Sequence, residues 1–199
     1  MGKETLSTFK WRRLATGWWY SRAKNARFAA LALAKLCDED IAVKFAKDTD
    51  YDGTPSIALY EAFSREAAIS LELIIKAVIA QTLELQNADP ATTGVRPTHD
   101  LPALWNEAGL PSVSREDHYR LHRLKAILIW AEKYPTPKTE KAWDEEENVF
   151  RQLAEPSEWH GNLVLRKAIG CKPDGFERLY KIAETRLHEL MKQRKSIAL

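Results

Sequence analysis

His118 and His122 stand four residues apart, a spacing that turns both imidazoles to one face of a helix. Two such nitrogens can begin a zinc site. The glutamate of His-Glu-x-x-His is missing and no third ligand is evident, so neither a metal nor a cofactor is expected. A second group of reactive types lies in VRPTHDLPALWNEAGLP, from Val95 to Pro111. Asp100 suits a helix N-cap, because its carboxylate can accept a backbone N–H from the first turn. Pro102 follows in that turn, where its missing N–H is not needed. Capping accounts for Asp100 and Leu101 but not for Arg96 or His99. Those two precede a helix N-terminus, whose free N–H groups favour anions, so they are candidate phosphate ligands. Glu72 and Lys76 form an i, i+4 pair of favourable orientation. They read either as an internal ion pair or as a lysine reaching a ligand phosphate. There is no Gly-rich phosphate loop, and Cys37 and Cys171 have no neighbouring base to activate them.

The start of the chain has a different chemistry. From Met1 to Lys35 the bases are Lys3, Lys10, Arg12, Arg13, Arg22, Lys24, Arg27 and Lys35, against the one acid Glu4. Trp11, Trp18, Trp19 and Tyr20 are interleaved with them. Basic groups neutralise phosphates and aromatic faces stack on bases. Arg12, Arg13, Arg22 and Arg27 are therefore candidate RNA contacts. The competing reading buries the aromatics in the core and leaves the bases solvated.

The elements that must position these residues are helical. The 199 residues, 45% hydrophobic and 29% charged with a net charge of +2, describe one globular domain with at most a small appendage. Two distant cysteines and no signal-peptide pattern point to reduced thiols and a cytoplasmic protein. The most apolar run, Leu71 to Leu83, contains Glu72 and Lys76 and is too short and too charged to span a bilayer.

Apolar three- and four-residue steps predict a helix from about Thr16 to Asp38 and another from about Ser56 to Asn87. A short helix follows from Leu101 to Ala108, with Gly109 at its C-terminal turn. Ser114-Arg-Glu-Asp117 resembles a capping box opening a helix to about Lys133. Further helices run from about Glu140 to Ala154 and from about Phe176 to Arg194, and no strand is convincing. Pro156, Gly161, Gly170 and Pro173 place the likeliest break at Glu155 to Asp174. The expected fold is all-α, a helical domain over 1–154 with a C-terminal extension over 155–199. The middle of Ser56–Asn87 is apolar on more than one side. That suggests a two-fold homodimer through it.

REAAISLELIIKAVIA (Arg65 to Ala80), THDLPALWNEAGL (Thr98 to Leu110) and LHRLKAILIWAEKYPTP (Leu121 to Pro137) together resemble a HEPN domain. That family pairs a long helix bearing Glu–Leu–Lys–Ala with a short helix opened by His-Asp-Leu and a helix ending in Arg-Tyr-Pro. Here the matching residues are Glu72 to Ala77, His99 to Leu101 and Lys133 to Pro135, with lysine in place of the usual arginine. The resemblance spans roughly Trp18 to Ala154. It implies an up-and-down helical bundle that dimerises and binds nucleotide or RNA, with a nucleotidyltransferase as partner in prokaryotic stress or defence systems of toxin–antitoxin type. Many HEPN proteins are metal-independent RNases whose signature is an arginine, a polar residue, and a histidine with four to six residues between it and the arginine, brought together across a dimer. The matching residues are Arg115, Glu116 and His122, with six residues between the arginine and the histidine. In that chemistry the histidine deprotonates a ribose 2′-OH and the arginine stabilises the phosphate. A module whose helix faces only mediate protein association is the third alternative.

Overall fold

The computed structural model describes residues 8–37, 39–131, 134, 136–154, 156–160, 163–166 and 170–197. Among these the fold is all-α apart from one small hairpin. The helices are α1 (Thr8–Leu14), α2 (Thr16–Leu36), α3 (Glu39–Asp48), α4 (Pro55–Leu85), α5 (Leu101–Glu107), α6 (Arg115–Ile129), α7 (Glu140–Leu153) and α8 (Pro173–Ile197). Strands β1 (Pro156–His160) and β2 (Leu163–Arg166) pair antiparallel within the segment expected to be a break. No helix among the described residues is long and apolar enough to cross a membrane.

Helix α4 is the axis of the molecule. Phe63, Ala67, Leu71, Ile74, Ile75 and Val78 are all essentially inaccessible. Helix α2 packs along it through Ala23, Ala26 and Ala30, whose small side chains let the two backbones approach. The Ser70 hydroxyl donates to the Ala23 carbonyl at 3.0 Å across that contact. Helices α5, α6 and α8 also pack on α4. Much of its apolar surface is thus covered within the chain, while Ile57, Tyr60 and Ile69 stay exposed.

The caps of α5 and α6 form where their residue types predict, whereas Ser56, a candidate cap, lies inside α4. Asp100 Oδ1 accepts the Ala103 N–H at 3.2 Å to open α5, and Gly109 takes φ +62° just beyond its end. Ser114 Oγ accepts the Asp117 N–H at 3.1 Å to open α6. Helix α4 has no such cap at Thr54, so Pro55 alone marks its start.

Three expectations change, the first being the β1–β2 hairpin where no strand was expected. Helices α1 and α3 arise where no helix was expected. Helix α3 buries Ala42 and Ala46 and turns Ile41, Val43 and Phe45 outward. Helix α8 is not an appendage. Phe176, Leu179, Tyr180, Ala183 and Leu187 belong to the same hydrophobic cluster as α4, and the Phe176 ring meets Phe63 edge-on at 6.2 Å. The boundary after residue 154 therefore does not divide the core.

An ionic knot fastens α8 to α6. The buried carboxylate of Asp117 accepts from Arg120 Nη1 at 2.7 Å and from Arg178 Nη2 at 2.7 Å. Gly175 makes room for it, since a Cβ there would lie 2.6 Å from Arg120 Nε. Burial by itself raises the Asp117 carboxyl, but the bonds from Arg178 and Arg120 outweigh it and hold the group below its ordinary value. Asp100 behaves alike: burial raises it, and the bonds from Lys125 and the Ala103 N–H more than offset that. A carboxyl with a depressed folded-state pKa stabilises the fold fully above its unfolded value. That contribution fades as pH falls through the folded value. Thermal melts should therefore drop in midpoint below about pH 4, the unfolded range for aspartate. Asp117→Asn should lower the midpoint at neutral pH and flatten the acid drop.

Candidate nucleic-acid interface

The first two helices present a face of tryptophans and arginines. Neither α1 nor α2 contains an acidic residue. Leu14 is buried and pins the joint between them. Helix α2 has no side-chain cap of its own. Instead Glu84 of α4 accepts the Thr16 N–H at 3.3 Å, supplying a carboxylate to the positive end of the helix. Trp19 Nε1 donates to the Arg13 carbonyl at 3.2 Å, which ties the end of α1 to the start of α2.

The competing reading of these aromatics would have buried them all. Trp19 and Tyr20 are indeed half-buried against the core, but Trp11 is 59% exposed and Trp18 51% exposed. The Arg12 guanidinium lies 4.8 Å from the centre of the Trp18 ring. Arg22 is exposed on α2. Arg13 is exposed as well and spends one N–H on the Val95 carbonyl at 3.3 Å. Arg27 is different. It grips Glu177 of α8 with two bonds of 2.6 and 2.5 Å and lies 5.0 Å from the Tyr180 ring centre. The bonds to Glu177 raise its pKa against the cost of burial. Arg27 thus joins α2 to α8, and the open basic set is Arg12, Arg13 and Arg22.

The residues around α5 are already partnered. Lys76, only 4% exposed, donates to Glu72 at 2.5 Å and sits 5.7 Å from the Trp19 ring centre. The second Glu72 oxygen meets His99 Nδ1 at 2.8 Å. The internal ion-pair reading of Glu72 and Lys76 therefore describes their geometry, and His99 closes the pair from outside. Arg96 is exposed and its guanidinium pairs with Glu107, a bond that raises its pKa.

The structure does not bring Arg115 and His122 together. They lie two turns apart on α6. Arg115 is exposed and donates to the Gln152 carbonyl at 2.5 Å, near the end of α7. His122 instead lines a cavity of about 610 Å³ between α6 and α7, with Arg123, Lys125, Trp130, Trp143 and Glu146 among its walls. Burial first, then the nearby His118 and Lys125, push the His122 pKa below its ordinary value and outweigh the pull of Asp100. The His118 and His122 rings meet at 4.8 Å, and no group of three metal-binding side chains occurs among the described residues. The cavity escaped the sequence reading because Trp130 and Trp143 face each other only once α7 folds back on α6.

No protein-family model, curated protein or solved structure matches this chain.

Proposed function

We propose that this protein is a HEPN-like helical module that binds single-stranded RNA across α1 and α2. Trp11 and Trp18 carry the proposal. Two exposed indoles cost free energy in water unless something covers them. Unpaired bases cover such rings by stacking, whereas a duplex hides its base faces. Arg12, Arg13 and Arg22 stand beside them on helices that carry no acids of their own, and the nearby Glu84 is paired with Arg194. The order of a long α4, a short α5 opened at Asp100 and an α6 packed against both supports the HEPN-like bundle. Homodimerisation and a nucleotidyltransferase partner enter with that resemblance, and light scattering and co-purification test them.

The RNase reading has one observation in its favour: His122 lines a cavity, where burial lowers its pKa. Against it, Arg115 is held by the Gln152 carbonyl. Incubating the protein with tRNA and mRNA without divalent metal decides between them. The binding module leaves the RNA intact and retards it on a gel. Cleavage that His122→Ala and Arg115→Ala both abolish would replace the binding module with the enzyme.

A further inference from the structure

We propose that the cavity between α6 and α7 is a site for a small organic cation, a quaternary ammonium or a guanidinium compound. It is separate from the α1–α2 face and does not depend on the RNA reading.

The walls supply ring faces. Trp130, just past the end of α6, and Trp143 of α7 lie 6.2 Å apart at 48°, and Tyr119 and Phe150 lie 5.7 Å apart at 59°. Aromatic faces carry negative charge density and attract a cation most strongly where water is partly excluded. The charges point the same way. Glu145, Glu146 and Glu147 all line the space, and Glu145 and Glu147 have only long 3.8 Å contacts to Lys141 and Arg151 of their own helix. Lys125 is neutralised by Asp100 at 2.7 Å, which leaves Arg123 as the opposing cation among the described walls. Arg123 reaches Glu146 only at 3.5 Å, a long contact between a half-exposed guanidinium and a largely covered carboxylate. Glu146 is the carboxylate placed among the rings. Burial, more than any neighbour, pushes its pKa up, and an incoming cation would reverse that by stabilising the charged form. A phosphate-bearing ligand would face three carboxylates here, so an anion suits the site poorly. Helix α7 has no fully buried residue, so its attachment is held by partly covered side chains. A ligand that bridges α6 and α7 would hold α7 in place.

Isothermal titration of the full chain with choline, and separately with argininamide, tests the site. Saturable binding of at least one is expected, with a change in tryptophan fluorescence. Glu146→Gln should weaken it roughly tenfold or more, on the scale of a partly desolvated cation–π and charge contact. Trp143→Ala should do the same, with helicity checked by circular dichroism. Arg123→Ala is the discriminating variant. Its side chain is half-exposed, so the fold should survive its loss. It removes a competing cation and should tighten choline or argininamide binding. The proposal is overturned if neither cation binds, if Glu146→Gln leaves binding unchanged, or if Arg123→Ala weakens it. It is equally overturned if guanosine monophosphate binds instead and Arg123→Ala abolishes that.

Discussion

Alanine at both Trp11 and Trp18 is expected to remove most of the affinity for single-stranded RNA. Each exposed indole offers one stacking surface, and a stacked base contributes about 1–3 kcal/mol. Losing both should weaken binding by roughly two orders of magnitude, since about 1.4 kcal/mol is tenfold. Filter binding or fluorescence anisotropy with an unstructured oligonucleotide measures it. The fold should be unaffected, because both rings are more than half exposed. Trp19→Ala makes the contrast: that ring covers Lys76 and ties α1 to α2, so its loss should lower stability as well as binding. If Trp11 and Trp18 can both be removed without cost to RNA affinity, these rings have another purpose.

Phe176→Ala should destabilise the whole molecule by about 3–5 kcal/mol, the usual range for emptying a buried phenylalanine site. Phe176 is fully buried between Phe63 of α4 and Tyr180 of α8. An appendage would behave otherwise: its loss would leave the unfolding of the remainder unchanged. Urea denaturation should show a single transition shifted to lower midpoint. Two transitions, with the larger at its original midpoint, would restore the division after residue 154.

Why that division looked plausible is instructive. Pro156, Gly161, Gly170 and Pro173 crowd one stretch of sequence, and local composition cannot tell a linker from a turn inside a core. The runs that become β1 and β2 stand two residues apart in sequence, a spacing that suits a hairpin. Local features were legible. Asp100 and Ser114 cap α5 and α6 as their residue types require, and the alanines of α2 face α4. Helix α3 was not, because its large apolar residues point to solvent and its alanines point inward, the reverse of the usual stripe.

The same holds for the basic residues. Arg12 and Arg27 look equivalent in the sequence. The structure gives Arg27 a carboxylate partner 150 residues away, while Arg12 lies on an exposed tryptophan. Partner choice over such distances is a property of the packed helices, and no local pattern encodes it.

The most direct test of the account titrates the full chain into a labelled single-stranded RNA at several salt concentrations, followed by fluorescence anisotropy. With Arg12, Arg13 and Arg22 as the phosphate contacts, the logarithm of the affinity should fall with the logarithm of salt at a slope of about −2, from about −0.7 per neutralised phosphate. The slope should shrink when Arg12 and Arg13 are both replaced by alanine, and an RNA duplex should bind far more weakly. An RNA that does not bind, a duplex that binds as well as the single strand, or anionic vesicles that bind where RNA does not, would contradict the assignment of α1 and α2 to single-stranded RNA.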